Sequence, residues 1–285
     1  MLKVAIPNKG SLSEGATKLI QSAGYKCRRS SKELFCSDTT NNVEFYFLRP
    51  TDIPAYVDAG IFHFGITGRD IVLDSGHGTH NVKEVMGLNF GKARMMYITP
   101  GNYNFQGISD FEGKKIACSY PGLIGDHLKA NGVNAEIIEL DGAVEISLHL
   151  GIADFAADVV ETGTTIKLAG LKTVGEPILH SEAIIVSKKD APEIEEAKLF
   201  IKRIEGIILA RQYVMVEYDI PTDKIEEACK ICPGLESPTV SPLREANWHA
   251  VKVMVKSSQV NSIMDELSAL GAKAVIVTEI RTCRM

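Results

Sequence analysis

Residues 145–166 read EISLHLGIADFAADVVETGTTI, and the fold turns on the pattern they hold. Phe155 to Val160 is short, apolar and β-branched toward its end, which predicts a buried strand. The strand empties into Asp158-Val-Val-Glu161-Thr162-Gly163-Thr164-Thr165. Two carboxylates, a glycine and three hydroxyls therefore stand where a strand hands over to a helix. A helix N-terminus carries unpaired N–H groups and a partial positive charge, and both favour an anion. Gly163 allows close backbone approach, and the threonine hydroxyls add donors. Ionised Asp158 and Glu161 only accept hydrogen bonds, so they suit sugar hydroxyls rather than phosphate. The pattern fits a phosphorylated sugar, with the ring on the carboxylates and the 5′-phosphate in the turn. The alternative is an ordinary strand-turn-helix with threonine N-caps and a solvated glutamate.

Around this stretch the chain has 285 residues, above the usual single-domain size, so two or three domains are expected. A hydrophobic content of 45% with 24% charged residues belongs to a soluble globular protein. The net charge of −5 gives no global attraction to nucleic acid or to a membrane, so an anion site must be built locally. No apolar run approaches the roughly 18 residues a membrane span needs. Met1-Leu-Lys-Val-Ala-Ile-Pro7 enters a strand at once rather than reading as a secretion signal. Six cysteines in so long a chain do not form a disulfide framework, and a cytoplasmic location is expected.

From the N-terminus, Leu2 to Pro7 predicts a strand and Ser11 to Ala23 an amphipathic helix, with Ser11 and Glu14 as a capping box. Lys9 then sits at the C-terminal edge of a strand, where open α/β sheets bind ligands; a solvated loop lysine is the alternative. Val43 to Leu48 is a second strand, running into Arg49-Pro50-Thr51-Asp52. Phe62 to Ile66 is a third, running into Thr67-Gly-Arg69-Asp70. Three strands thus release polar turns along one edge of a parallel sheet. His77 and His80 lie in a Gly-rich segment with no third ligand nearby, which reads as a loop rather than a metal site.

Strands are expected at 94–99, 114–118 and 135–140, and Asp141 is expected to cap a helix reaching Leu150, so residues 93–177 form a second α/β unit. Glu182 to Ser187 is a strand that rejoins the first sheet. A chain that crosses out and back gives two lobes: 1–92 with 179–207, and 93–178. A long helix follows to about Arg211. Residues 213–280 then read β-α-β-β-α-β, the ferredoxin-like order, giving a third domain over 208–285. Cys229-Lys-Ile-Cys232 has no second pair at zinc spacing and no redox context.

Several segments, in order, resemble the long form of the ATP phosphoribosyltransferase family. They are Ile6-Pro-Asn-Lys-Gly-Ser-Leu12, Asp52-Ile-Pro54, Gly65-Ile-Thr-Gly-Arg-Asp70 and Tyr120-Pro121. The most specific is Glu145-x5-Gly151-x-Ala153 followed by Asp158-Val159 and Thr162-Gly163-x-Thr165. Pro233-Gly-Leu-Glu-Ser-Pro-Thr-Val240, Ile263-Met-Asp-Glu-Leu267 and Gly271-Ala-Lys-Ala274 are similar to its regulatory domain. Departures are Ala156, Ile166 and Ser11, the last replacing an arginine common after Lys-Gly. That places more of the charge on Lys9, Arg49 or Arg69.

The resemblance implies a two-lobed, periplasmic-binding-protein-like α/β core with a C-terminal ferredoxin-like domain. It implies that N1 of ATP attacks C1 of phosphoribosyl pyrophosphate with inversion, releasing pyrophosphate, as the first step of histidine biosynthesis. Magnesium accompanies the pyrophosphate, with no ligands from the protein. Lys9 and Arg49 would neutralise the leaving group. Asp158 and Glu161 would hold the ribose, and Thr162, Gly163, Thr164 and Thr165 the 5′-phosphate. Asp70 and Tyr120 fall on the ATP side. Asp219, Leu235, Ser237, Thr239 and Ala274 match positions for feedback inhibition by histidine. AMP as a second inhibitor and a homohexamer built from dimers are implied as well. The rival reading is a non-catalytic, two-lobed small-molecule-binding or regulatory protein.

Overall fold

A computed structural model describes residues 1–27, 33–75, 81–192 and 194–284. The expected loop at His77 and His80 lies outside them. The chain divides into two compact units, Met1–Lys18 with Lys26–Ala197, and Leu19–Tyr25 with Lys198–Met285.

The first unit holds two sheets. In the first, β1 (Leu2–Pro7) lies parallel to β3 (Val43–Leu48), from Leu2 opposite Val43 to Pro7 opposite Leu48. It also lies parallel to β4 (Phe64–Gly68). Alternation in Val43-Glu-Phe-Tyr-Phe-Leu48 buries Val43, Phe45 and Phe47, which fixes the register of that strand. β2 (Phe35–Asp38) pairs antiparallel on the far side of β3. β5 (Val82–Gly87) and the returning β11 (Ala183–Lys188) complete the order β2-β3-β1-β4-β11-β5. β11 rejoins the first sheet as its apolar run requires, antiparallel between β4 and β5. Helices α1 (Gly10–Ser22), α2 (Ile53–Asp58) and α3 (Arg69–Asp74) follow β1, β3 and β4. The polar turns after those three parallel strands therefore share one edge.

The second sheet has the order β10-β6-β9-β7-β8. Its strands are β6 (Ala93–Pro100), β7 (Lys115–Cys118), β8 (Glu136–Glu139), β9 (Phe155–Val160) and β10 (Leu171–Ser181). One core gathers Met95, Tyr97, Phe111, Ile116 and Phe155, and another gathers Met96, Ile98, Ala156, Val160 and Ile166. Between the strands lie α4 (Pro121–Ala130), α5 (Ile146–His149) and α6 (Thr164–Leu168).

Four elements depart from the sequence reading: β2 and β5 were not expected, and two more have a clear local cause. The helix expected from Asp141 to Leu150 is only Ile146–His149, because Gly142 (φ 89°) and Ala143 (φ 49°) are left-handed in succession and break any turn begun at Asp141. β10 was not expected at all, since Gly175 and Pro177 punctuate LKTVGEPILHS. The strand survives through a shift of register between Val174 and Leu179, which takes both breakers out of the ladder.

The second unit carries α7 (Glu195–Gln212) up to its C-terminal sheet. β12 (Tyr213–Pro221), α8 (Ile225–Ile231), β13 (Thr239–Pro242), β14 (Trp248–Lys256), α9 (Val260–Leu270) and β15 (Lys273–Glu279) follow in the expected ferredoxin-like order. The sheet is antiparallel throughout, β13-β14-β12-β15. Val214, Val216, Tyr218 and Ile220 alternate into the core with Ala228 of α8 and Ile263 and Leu267 of α9. The opposite face, with Glu217 and Asp219, stays open.

Candidate functional site

β9 carries the quoted stretch up from a buried base. Phe155, Ala156 and Ala157 are buried, Asp158 and Val159 half-emerge, and Val160 is buried again. Glu161, Thr162, Thr164 and Thr165 are exposed, pinned between buried Val160 and buried Ile166. Gly163 caps α6 in the left-handed region (φ 75°), which a side chain occupies only under strain. Thr162 Oγ1 lies 3.1 Å from Thr164 Oγ1 and accepts the Thr164 N–H at 3.4 Å. The hydroxyls thus order a short turn whose outer side is open.

The carboxylates behind the turn crowd together. Asp158 Oδ1 accepts the Val159 N–H at 2.7 Å. Burial pushes its carboxyl above the ordinary range, and Glu145 and Asp70 push the same way, against that N–H. Asp70 is buried at the start of α3. Its Oδ1 accepts a short hydrogen bond from Ser181 Oγ, and its own N–H donates to that oxygen at 3.1 Å. Tyr120, just ahead of α4, has its hydroxyl held protonated by burial, then by the nearby Asp70, Asp158 and Asp74 carboxylates. Asp74 Oδ1 accepts the Leu123 N–H at 3.0 Å, tying α3 to α4. Asp70, Tyr120 and Asp158, from three separate elements, thus form one cluster between the two sheets. A protonated phenol and crowded carboxylates can donate to and accept from a polar ligand.

Cations line the first sheet's edge. Lys9 and Arg49 are exposed and lie just beyond the register partners Pro7 and Leu48, with the Asn8 N–H donating to Leu48 O at 2.8 Å. Neither makes an ion pair among the described residues. Arg69 is occupied otherwise: Glu84 takes it at 2.7 Å and Glu182 at 3.2 Å. Two carboxylates thus share its charge in the fold. α1 is assigned from Gly10, whose backbone is left-handed (φ 78°), with Ser11 next in its first turn. The Ser11 Oγ donates to Glu161 Oε1 at 3.5 Å, joining the first turn of α1 to the candidate turn.

On the open face of the third sheet a hollow of about 400 Å³ is lined by Asp219, Thr239 and Ala274, with Glu217, Ser241 and Lys252 among its walls. Ala274 is left-handed (φ 48°), beside the bulge in the β12–β15 ladder. Leu235 and Ser237, expected with these three, lie exposed on the preceding loop and do not line it. Cys232 is buried and donates to Ala228 O at 3.4 Å, so half of the C-x-x-C is core.

The sequence profile described as ATP phosphoribosyltransferase matches residues 49–206, and that of its C-terminal domain matches 210–282. The chain belongs to the ATP phosphoribosyltransferase family. Curated members so named from Corynebacterium diphtheriae and Salinibacter ruber are 50% and 49% identical to it, each alignment covering 100% of both chains. Among solved structures, a chain of the Thermotoga maritima ATP phosphoribosyl transferase (HisG:HisZ) complex matches with a TM-score of 0.61 at 25% identity, covering 72% of this chain and 96% of that one.

For a member of this family, the pieces that sequence reasoning missed are the supports. Ser181, Glu182 and Asp74 bear no motif of their own and act across more than forty residues of chain. Glu182 binds Arg69 and accepts the Asn89 N–H at 2.9 Å, joining the two strands that pass between the sheets. Among the described residues, no helix is long and apolar enough to cross a membrane.

Proposed function

We propose that this chain transfers the phosphoribosyl group of phosphoribosyl pyrophosphate to N1 of ATP, the first step of histidine biosynthesis, with the turn 158–165 as the sugar-phosphate seat. The observation that carries the reading is local. A half-buried acid, Asp158, stands three residues before an exposed turn that starts at Glu161 and holds three threonine hydroxyls and a left-handed glycine. The nucleophile belongs to ATP, so the protein needs no activated serine or cysteine. Its work is alignment and neutralisation of developing charge.

Asp158 and Glu161 hold the ribose hydroxyls, and Asp158 faces the positive charge that grows on the ring as the bond to pyrophosphate breaks. Thr162, Gly163, Thr164 and Thr165 hold the 5′-phosphate. Lys9 and Arg49 meet the pyrophosphate from the edge of the first sheet. Asp70 and Tyr120 take the nucleotide side. Magnesium enters with the sugar substrate, chelated by its pyrophosphate. Among the described residues no group of three His, Cys, Asp or Glu side chains is arranged to hold an ion.

The assignment of 1–92 with 179–207 and 93–178 as catalytic lobes, and of 208–285 as regulatory, belongs to the same proposal. It is supported by the three sheets, whose strands span 2–87 with 183–188, 93–181 and 213–279. Histidine would bind in the hollow at Asp219, Thr239 and Ala274, its amino group on the carboxylate and its carboxylate on hydroxyls. Leu235 and Ser237 would join by movement of their loop. Competition by AMP, a hexamer of dimers and a cytoplasmic location complete the reading. Pyrophosphate release that needs both substrates tests the reaction, and a crystal soaked in the sugar substrate tests the seat. Density for that sugar away from 158–165 would overturn the assignment.

A further inference from the structure

A second feature opens beside the turn. A cleft of about 370 Å³ is lined by Glu161, Lys92, Arg94, His180 and Arg69, among others. At about 30 Å³ per water it has room for about a dozen, more than a single phosphate requires.

Register explains why the cations meet. Arg94 near the start of β6 stands directly opposite His180 on β10 and directly opposite Val160 on β9. Residues directly opposed in an antiparallel ladder share a face, with Cβ atoms about 5 Å apart, and like charges so placed repel. Lys92 precedes Arg94 by two residues and lines the same cleft. Lys92 and Arg94 are exposed and make no ion pair among the described residues. Arg69, in the same wall, is already neutralised by Glu84 and Glu182. An acidic chain has thus gathered two cations without ion pairs among the described residues, and an imidazole, around a cavity whose lining includes Glu161 of the candidate turn.

We infer that the Lys92–Arg94–His180 cleft binds an oligophosphate chain. The inference rests on the reading of 158–165 as the sugar-phosphate seat only in placing the cleft beside the reaction; the charge and the cavity stand without it. Two sources share that chemistry: the triphosphate tail of the nucleotide and the departing pyrophosphate. Room for more than one phosphate, and a lining that does not include Lys9 or Arg49, favour the triphosphate tail.

The test is calorimetry on the full chain and on the double variant Lys92→Ser, Arg94→Ser, with inorganic triphosphate, pyrophosphate, ATP and AMP as titrants. Both substituted side chains are exposed, so the fold is retained. The expected result is binding of triphosphate and ATP weakened at least tenfold, with AMP unchanged. Equal losses for pyrophosphate alone would assign the same cleft to the leaving group. Wild-type affinities for all four would overturn the inference. A parallel variant, Thr165→Ala, keeps the two ideas apart. It should raise KM for phosphoribosyl pyrophosphate without weakening triphosphate. An unchanged KM there, with triphosphate lost in the double variant, would sink the seat and leave the cleft.

Discussion

Ser181 and Asp70 grip each other twice. The serine hydroxyl donates to the Asp70 carboxylate and accepts the Asp70 N–H at 3.1 Å, across 111 residues of chain. Ser181 ends β10 in the second sheet, Asp70 opens α3 beside the first, and both are buried. The joint between the two sheets is therefore polar and specific, and it orients a carboxylate that faces Tyr120.

Ser181→Ala removes the donor and leaves a buried carboxylate short of a partner, which costs about 1–3 kcal/mol. Urea unfolding should show a lower midpoint with an unchanged slope. Turnover should fall several-fold, with KM for ATP rising more than KM for the sugar, because Asp70 stands on the nucleotide side. Ser181→Thr, which keeps the hydroxyl, should restore most of both. Equal midpoints for Ala and wild type would refute the role assigned to this pair.

Asp158 should be costly to keep and necessary to have. Its carboxyl is raised in the folded chain, so the native state holds a proton to higher pH than the unfolded chain does. Stability therefore rises as pH falls through the raised folded value and levels off below the ordinary 3.8. Above the raised folded value both states are ionised, and the buried charge is a net cost. Asp158→Asn should hold or raise the melting temperature at pH 7 while cutting turnover at least tenfold. Its advantage over wild type should shrink as the pH is lowered toward 4. A melting temperature well below wild type at pH 7 would contradict the assigned direction.

Gly163→Ala tests the turn without touching a hydrogen bond. A Cβ there meets only Val160 Cγ1 at 3.6 Å, an ordinary contact, so space is not the obstacle. The backbone at φ 75° is. The left-handed conformation costs a non-glycine residue about 1–2 kcal/mol, which the short α6 relieves by shifting its first turn. KM for phosphoribosyl pyrophosphate should rise with little change in KM for ATP. A variant with both constants unchanged would show that the turn does not hold the phosphate.

These cases show what could be read from the chain and what could not. β1, β3 and β9 were legible to the residue, because each is a compact apolar run bounded by polar turns. The turn 161–165 was legible because its chemistry is contiguous. β10 was hidden by Gly175 and Pro177, whose local preference loses to pairing with β6 once the register shifts. The grip of Ser181 on Asp70, and of Glu84 and Glu182 on Arg69, has no local signature, since each partner lies far along the chain. Arg69 is the instructive case. The family resemblance offers it as one of three cations toward the substrate, and only the fold reveals the two carboxylates that pair with it.

The hollow on the third sheet can be tested separately from catalysis. Asp219→Asn removes the charge that would meet an amino group, and Thr239→Val removes a hydroxyl while keeping shape. Both side chains lie on the open face of their sheet, away from the core of Val216, Tyr218 and Leu267. Each variant should keep wild-type turnover without histidine and need at least tenfold more histidine for half inhibition. Undiminished inhibition in both would place the effector elsewhere.

Cys27 and Cys36 have their sulfurs 3.7 Å apart, the first within the α1–β2 connection and the second on β2 itself. A disulfide requires about 2.05 Å between sulfurs, a shift that small side-chain rotations supply. Burial holds the Cys27 thiol far above its ordinary range, with Cys36 adding to it, so reaction should begin at the half-exposed Cys36. Hydrogen peroxide converts the Cys36 thiol to a sulfenic acid with loss of one water. The Cys27 sulfur then displaces the second water, and two thiols have lost two electrons and two protons. Peptide mapping after mild peroxide treatment should find a 27–36 cross-link, reversed by dithiothreitol and missing in Cys36→Ser. Cross-linking of other cysteines in preference to this pair would show that the approach of the two sulfurs is not productive.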